Sequence, residues 1–445
     1  MVETPRQIHL AVLLGNGVHV GSWRLPEAEF NPDSFDLQLR LTQMAEKAKF
    51  DMVFLADGLA SNASMPPTSM SRLEPLMLLG ALAKATTHIG LAATATTTYS
   101  QPYTLARQFA TLDHISEGRA AWNIVTGLNP DAAQNFSLPS YPDKEQRYEM
   151  ASEFVEICKG LWDSWEDGAF VNDKERGVPY DFSKFHALNH KGTHYQVKGP
   201  LNLRRSPQGY PVLVQAGASN TGVDFAARYA EIVFTVQEDM ETTKAFGTRV
   251  RALAREAGRD PNSLKIVPGI CPIIAESVQA SKDLLARMAS YANPVAAMQM
   301  LAERLDWPGL EDMPLDGPVP DIPPERRRGH AITLLGVAKK YGFNLRQLRD
   351  YASASNGHRL IFGNPEQIAD DLEEWFVSGA ADGFILHLPF VPGPMEDFAN
   401  EVVPILQKRG IYRKDYSGTT LRDHLGLQRP PHPLALALPA AQASA

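Results

Sequence analysis

Met52-Val53-Phe54-Leu55-Ala56, followed by Asp57 and Gly58, sets the pattern that runs through this chain. Five apolar residues in a row, without alternating polar positions, are typical of a parallel strand that is buried on both faces. Eight runs of this kind occur along the sequence: Ile8–Leu14, Met52–Ala56, Ile89–Thr96, Ala120–Val125, Pro211–Ala216, Ile232–Val236, Leu264–Ala275 and Gly383–Pro389.

Amphipathic segments separate most of these runs. One begins near Ser34, a good helix cap, and another has Pro75 as its first residue; a third begins at Asn364. Eight strand–helix repeats predict an α/β fold, a (β/α)₈ TIM barrel. An open doubly wound sheet is the alternative. No Gly-x-Gly-x-x-Gly follows any of the runs, which disfavours the dinucleotide-binding form of that sheet.

The length of 445 residues would allow three domains at roughly 150 residues each. A single barrel with insertions also reaches this size. We expect one barrel domain over residues 1–427, with long insertions at about 58–73, 163–210 and 293–344, and a disordered Pro- and Ala-rich tail over 428–445. Insertions after barrel strands build the active-site face, so the first and third are predicted lids.

Composition excludes several classes of protein. Lys and Arg number 43 against 51 Asp and Glu, a net charge of −8, which argues against a general nucleic-acid binder. With two cysteines, Cys158 and Cys271, no apolar run of membrane-spanning length and no signal peptide, the sequence predicts a cytoplasmic protein without a membrane segment. His186, His190 and His194 are spaced by four, but turn residues interrupt them and no metal site is predicted.

Hydroxyl and amide side chains cluster at the ends of the predicted strands. Such a lining suits a planar polar ligand and a phosphate better than hydrolysis by paired carboxylates. The segment Gln215–Gly222 is the local phosphate candidate, because two glycines, Ser219 and Asn220 precede a helical run whose free N–H groups attract anions. A plain helix cap at Ser219 is the alternative reading.

An ordered series of motifs spans about residues 7–427. It includes Phe54-Leu-Ala-Asp57, Thr97-Thr98-Tyr99-x-x-Pro102-Tyr103, Thr111-Leu-Asp-His-x-Ser-x-Gly118-Arg119, Ala121-Trp122-Asn123-Ile-Val-Thr126, Arg147-Tyr148 and Gln215-Ala-Gly217-x-Ser219. The series resembles the bacterial-luciferase-like flavin monooxygenases, in the branch of nitrilotriacetate and EDTA monooxygenases, dibenzothiophene sulfone monooxygenase and long-chain alkane monooxygenase.

The resemblance implies a two-component FMN-dependent monooxygenase. Reduced FMN (FMNH₂) would come from a separate NAD(P)H:flavin reductase and react with O₂ to a C4a-(hydro)peroxyflavin, which oxygenates a small organic substrate at a C–N, C–S or C–H bond. It also implies a TIM barrel, a catabolic role and a homodimer or homotetramer. Two alternatives are an F420-dependent oxidoreductase on the same fold and a non-catalytic flavin-binding protein.

The resemblance also carries site residues over. For FMN these are Asp57 and Thr94 on the ring side, Tyr148 and Ser219 at the phosphate, and Asn123. They are joined by Asn220 of the phosphate candidate segment and by Lys144, which stands where relatives have a histidine and would pair with the phosphate as a point charge.

Two histidines are candidates for catalysis. Some relatives have Ser-His after the residue matching Thr126, whereas this chain has Gly127-Leu128; His387 or His19 would then take over that histidine's role. The resemblance further implies a non-prolyl cis peptide in the third strand, at Ala92-Ala93 or Thr94-Ala95.

Overall fold

The computed structural model describes residues 6–62, 65–127, 131–137, 141–217, 219–323 and 330–434. Their strands are β1 His9–Leu13, β2 Met52–Leu55, β3 Gly90–Thr96, β4 Ala120–Val125, β5 His190–Lys191, β6 Gln196–Val197, β7 Val212–Ala216, β8 Ile232–Thr235, β9 Lys265–Ile274, β10 Arg359–Gly363 and β11 Gly383–Leu386. In the order β1-β2-β3-β4-β7-β8-β9-β11, eight strands form a closed parallel barrel, which confirms the predicted fold.

Helices connect the strands. They are α1 Phe35–Lys47, α2 Pro67–Met70, α3 Pro75–Ala85, α4 Pro102–Ile115, α5 Ala132–Asn135, α6 Lys144–Trp162, α7 Asn220–Tyr229, α8 Met240–Glu256, α9 Val278–Ser290, α10 Pro294–Leu305, α11 His330–Tyr341, α12 Leu345–Ser355, α13 Pro365–Val377, α14 Gly393–Asp397, α15 Val403–Lys408 and α16 Leu421–Leu425. Ser34 caps α1 and Asn364 caps α13, as the sequence predicts. None of the helices in the described ranges is long and apolar enough to cross a membrane.

The chain divides into two compact units. The first comprises Met1–Glu74 and Gln215–Asp415, and the second comprises Pro75–Val214 and Tyr416–Ala445. The single domain expected over residues 1–427 stays a prediction. Residues 428–434 of the expected disordered tail have defined contacts within the second unit, where Arg429 forms an ion pair with Asp167. Residues 435–445 lie outside the described residues, so for them the tail stays a prediction.

In the first unit, β1 lies between β2 and β11. Ala11 is in register with Met52, and His9 with Gly383. A Cβ on Gly383 would lie 2.1 Å from the His9 carbonyl oxygen, so only glycine allows β1 and β11 to approach this closely. Every residue of β2 and β11 is buried, as expected for strands covered on both faces.

Strand β10, at Arg359–Gly363, was not among the eight runs and is a correction to the sequence prediction. Its partner is the long strand β9, whose start pairs with β8 at Lys265 and whose end pairs with β10, from Ile270 to Ile274. One apolar run, predicted as Leu264–Ala275, thus serves the barrel with its first half and an additional strand with its second half. Tertiary pairing, not periodicity, separates the two uses.

The third insertion, 293–344, belongs to the first unit and contributes helices α10 and α11, which with α12 form a core of their own. Its buried residues include Met298, Leu301, Leu305, Leu334 and Leu348. The basic run Arg326-Arg327-Arg328 within this insertion lies outside the described residues.

In the second unit, β3 and β4 are paired in register, with Leu91 opposite Ala120. The Trp122 indole packs against the rings of Phe109, Phe154 and Trp162, which belong to helices α4 and α6. Because side chains alternate along a strand, Asn123 points to the opposite face of the sheet from Trp122.

Two details correct the sequence analysis or complete it. The cis peptide bonds among the described residues are Gly199-Pro200 and Val391-Pro392, so the cis peptide expected within β3 is wrong. In the second insertion, 163–210, His190 lies on the short strand β5 instead of a helix and its Nε2 lies 2.9 Å from Glu153 Oε1.

Candidate active site

A polar pair sits on β3 and β4 of the second unit. Thr94 and Asn123 are register partners, and Asn123 Nδ2 donates a hydrogen bond of 2.8 Å to Thr94 Oγ1. Both residues are buried, at 7% and 4% exposure. Asn123 Oδ1 has no hydrogen-bond partner among the residues that the structure describes. A buried amide oxygen without a partner is costly, so this atom is well placed to accept a hydrogen bond from a bound ligand.

The residues that follow β3 and β4 form an aromatic and cationic group. The Tyr99 ring stacks on Phe136 with centroids 4.8 Å apart, and Tyr141 Oη donates a 2.6 Å hydrogen bond to the Gly127 carbonyl oxygen. The Arg147 guanidinium lies 4.2 Å above the Tyr141 ring. Burial raises the pKa of Tyr141, and the Arg147 charge opposes part of that shift. The tyrosines therefore stay neutral and serve as walls or hydrogen-bond donors.

Two further predicted FMN residues begin helix α6. Lys144 is its first residue, and Tyr148 follows four residues later, hence one turn along the same side of the helix. Both are half-buried. Asp143, the cap, uses its side chain to accept from Gln146 N, whereas the Lys144 ammonium has only donors and takes no part in this cap. This arrangement is compatible with an anion near the start of α6.

In the first unit, Asp57 directly follows β2. The Gly58 amide donates a 2.8 Å hydrogen bond to Asp57 Oδ1, and the carboxyl group is half-buried. Burial raises the pKa of Asp57, while the Gly58 hydrogen bond and the Arg72 charge lower it. Arg72 comes from the first insertion and was not singled out in the sequence, because a lone arginine in a loop carries no local signal.

The predicted phosphate segment follows β7. Ser219 caps α7, and its Oγ accepts a 3.2 Å hydrogen bond from Gly222 N, which is the plain cap that the sequence offered as an alternative. Asn220 begins the helix and is exposed. The hydroxyl hydrogen of Ser219 is still available for donation, so capping and anion binding are compatible. The phosphate role stays a prediction.

His387 lies just after β11 and belongs to a stack of rings. Its imidazole is 3.8 Å from that of His358, and Phe234 of β8 lies against both, at 5.9 Å from His387 and 5.4 Å from His358. Both histidines are 3% exposed. A Cβ on Gly269 would lie 2.3 Å from His358 Nδ1, so this glycine of β9 makes room for the second imidazole.

His19, the other catalytic candidate, lies in the loop after β1. Its amide donates to the Pro389 carbonyl oxygen at 3.2 Å, which places its backbone beside the segment that follows His387. The side chain is fully buried, and Nδ1 accepts a 3.0 Å hydrogen bond from Gly21 N. Burial lowers the pKa of His19 to about 4. The imidazole is therefore neutral near pH 7, with its proton on Nε2.

A carboxyl group that the sequence analysis missed follows β8. Glu238 Oε1 accepts a 2.5 Å hydrogen bond from the Tyr351 hydroxyl of α12, and burial raises the pKa of Glu238 to about 7. Lys340 of α11 donates to the Glu238 carbonyl oxygen at 3.4 Å. Glu238 thus anchors the helices of the third insertion to the end of a barrel strand. Perturbed carboxyl groups of this kind are common in functional sites.

The structure brings some predicted residues together and leaves others apart. Thr94 and Asn123 share a hydrogen bond, and Lys144 and Tyr148 share a helix turn. His358, Phe234, Glu238 and Tyr351 were not predicted. Their roles depend on contacts between distant segments, and a buried Phe or Tyr in a sequence looks like ordinary core.

The chain is similar to characterised proteins over almost its entire length. The model of the luciferase-like monooxygenase family matches residues 17–382. The N-acetyl-S-(2-succino)cysteine monooxygenase of Bacillus subtilis (strain 168) is 44% identical over 435 residues, which cover 97% of this chain and 99% of that protein. The nitrilotriacetate monooxygenase component A of Aminobacter aminovorans is 42% identical over 446 residues, covering 97% and 98%.

A solved structure agrees with these similarities. The EDTA monooxygenase from Chelativorans sp. BNC1 superposes with a TM-score of 0.83 at 32% sequence identity, and the match covers 96% of this chain and all of that chain, at 100%. The agreement in fold therefore extends through the insertions as well as the barrel.

Proposed function

Because this chain belongs to the luciferase-like monooxygenase family, we propose that it is the oxygenating component of a two-component, FMNH₂-dependent system. The name of one relative, nitrilotriacetate monooxygenase component A, implies a further component in that system. This supports a separate second component here, an NAD(P)H:flavin reductase that supplies the reduced flavin. The predicted cytoplasmic location and the homodimer or homotetramer remain proposals.

The observation that carries the flavin proposal is the Thr94–Asn123 pair. A flavin ring has a polar edge with N–H and C=O groups, and Asn123 Oδ1 is a buried acceptor without a partner among the described residues. Thr94 and Asn123 fit such a ring, because a hydroxyl and an amide form hydrogen bonds with it and do not remove its protons. Asp57 and Ser219 stay predicted FMN contacts that the family resemblance implies.

The chemistry would come from the flavin and from O₂. Reduced FMN would supply two electrons and two protons, so that one oxygen atom of O₂ would enter the substrate and the other would leave as water; the C4a-(hydro)peroxyflavin stays what the family resemblance implies. The protein's residues bind and orient the ring, exclude water and hold the substrate. Relatives named for a succinyl thioether and for nitrilotriacetate support oxygenation beside a C–S or C–N bond of a small organic molecule.

The test is a flavin titration combined with turnover. FMN binding to the wild type and to Asn123→Ala is measured by flavin fluorescence, and oxygen uptake and product are measured with a flavin reductase and NADH. Loss of one buried hydrogen bond to the ring, worth about 1.5 kcal/mol, weakens affinity roughly 10-fold. Asn262→Ala, an exposed amide in a short 3₁₀ segment, is the matched control and leaves affinity unchanged.

Three results would contradict the proposal. They are equal FMN affinity of the wild type and Asn123→Ala, binding of coenzyme F420 in place of FMN, and flavin binding without any substrate-dependent product. The second result identifies the F420-dependent alternative, and the third identifies a non-catalytic flavin-binding protein.

A further inference from the structure

Several buried hydrogen-bonding atoms of the first unit have no partner among the residues that the structure describes, and three donors among them lie in neighbouring segments. They are Arg304 Nε, Ser353 Oγ and His19 Nε2. Buried polar groups are almost always satisfied in folded proteins, and each exception needs a physical reason. A ligand that accepts hydrogen bonds is such a reason when several donors lie in neighbouring segments.

Arg304 is the most unusual of the three. It lies on α10, where its guanidinium donates to the Asn356 side chain, and burial lowers its pKa to about 10. The carboxylate that raises the pKa of Arg304 against this effect is that of Glu303, its exposed neighbour in sequence. Arg359, by contrast, is paired with both oxygens of Asp371. Within the described part of the chain no carboxylate pairs with the Arg304 guanidinium, and a desolvated cation without a carboxylate partner is strongly disfavoured unless an anion joins it.

A firmly packed helix carries Arg304. Arg304 keeps partial solvent exposure although protein atoms surround its guanidinium. Leu301 and Leu305, on the same helix, are fully buried in the core of the insertion. The helix is therefore firmly held, and the guanidinium is presented from a rigid element.

The other two donors, Ser353 Oγ and His19 Nε2, belong to segments that adjoin Asn356, the partner of Arg304. Asn356 follows α12, and Ser353 is one helical turn before it. The Ser353 carbonyl oxygen accepts a 3.2 Å hydrogen bond from Val20 N, so the backbone next to His19 lies against the same helix. His19 is neutral near pH 7 and carries its proton on Nε2, because Nδ1 accepts from Gly21 N. A guanidinium N–H, a hydroxyl and an imidazole N–H therefore lie in adjoining segments.

We propose that Arg304, Ser353 and His19 form a carboxylate-binding subsite and that the substrate is a small organic carboxylate. Calling the bound carboxylate the substrate rests on the proposed monooxygenase function, whereas binding of the carboxylate needs no flavin. A carboxylate supplies a countercharge to Arg304 and accepts from several donors at once. The same stretch continues from Asn356 to His358, whose ring stacks on His387 after β11, so the subsite adjoins the strand end of this unit.

Binding is measured on the flavin-free full-length protein by isothermal titration calorimetry. The probes are nitrilotriacetate and N-acetyl-S-(2-succino)cysteine as anions, and the trimethyl ester of nitrilotriacetate as a neutral counterpart. We expect the wild type to bind at least one of the anions and not the ester. Arg304→Met weakens the affinity about 30-fold or more, the lower end of what loss of a buried charge pair costs.

Two further variants guard against an effect on folding. Arg304→Lys keeps the charge but loses the planar fork, so its affinity falls between those of the wild type and Arg304→Met. Ser353→Ala removes a single hydroxyl from α12 and lowers the affinity about 5-fold. The matched control is Arg346→Met on the same helix, because Arg346 already has Asp316 as its carboxylate partner at 2.9 Å. This control leaves anion binding unchanged.

The outcomes separate this inference from the proposed function. Anion binding that disappears in Arg304→Met and persists in Arg346→Met supports the subsite. Absence of binding of both anions to the wild type at millimolar concentration, or equal affinities of the wild type and Arg304→Met, overturns it. FMN titration of the same preparations tests the monooxygenase proposal separately. FMN binding can be absent while the anion binds, and the anion can fail to bind while FMN binds.

Discussion

Replacing Glu238 with glutamine should change how the stability of this protein depends on pH. In the folded protein the pKa of Glu238 is raised from its usual 4.5 to about 7, with burial as the main cause. Tyr351, Arg359 and Lys340 favour the ionised carboxylate and oppose part of this shift. The folded state therefore binds a proton between pH 4.5 and 7 that the unfolded state has already released.

The sign follows from proton linkage. Where the folded state holds more protons than the unfolded state, the free energy of unfolding falls as the pH rises. Ionised Glu238 thus adds a cost to folding that is absent below pH 4.5, grows through the window up to pH 7 and is constant above it. A rise of the pKa from 4.5 to about 7 corresponds to about 3 kcal/mol, at roughly 1.36 kcal/mol for each pH unit. Partial solvent contact of the side chain reduces this value.

Urea unfolding of the wild type and Glu238→Gln over this pH range measures the effect. The neutral amide has no such cost, so Glu238→Gln gains stability relative to the wild type as the pH rises through the window. Tyr351→Phe removes the 2.5 Å hydrogen bond to the carboxylate and steepens the loss. Glu241→Gln, an exposed glutamate paired with Lys244, is the control. A constant difference between wild type and Glu238→Gln at all pH values would refute the reasoning.

Three other substitutions test the site. Tyr148→Phe should weaken FMN binding roughly 10-fold if the Tyr148 hydroxyl donates to the phosphate. Unchanged FMN affinity in a fluorescence titration would contradict the role of Tyr148 as a phosphate contact. Ser219→Ala should weaken FMN binding and also cost about 1 kcal/mol of stability through the lost α7 cap; a change in the urea midpoint with unaltered FMN affinity would leave the residue as a cap alone. Gly269→Ala would place a Cβ 2.3 Å from His358 Nδ1 and force the imidazole off His387. It should cost about 1–3 kcal/mol by overpacking, and a wild-type denaturation midpoint would contradict this.

Much of the barrel was readable from the sequence because buried parallel strands need continuous apolar runs. Met52–Leu55 and Gly383–Leu386 are strands within the runs that were predicted. Arg359–Gly363 was not predicted because its apolar run has only three residues, Leu360-Ile361-Phe362, and because its partner is the far half of an apolar run that looks like one strand. The pairing of β10 with β9 has no local signature.

The candidate site divides in the same way. Thr94 and Asn123 stand at strand positions that the motif series marked, and register alone makes them neighbours. Glu238, Tyr351 and Arg304 carry no such mark, since a glutamate after a strand or an arginine on a helix is ordinary surface chemistry in a sequence. Only their burial makes them unusual, and burial depends on which distant segments cover them.

The sequence by itself determined the (β/α)₈ barrel and the family, because apolar periodicity and ordered motifs are local properties of the chain. The tertiary structure alone decided the protonation of Glu238, the stacking of His358 on His387 and the desolvation of the Arg304 guanidinium. Each of these depends on desolvation and contact between segments that are far apart in sequence, and no residue pattern encodes the dielectric environment that a side chain meets after folding.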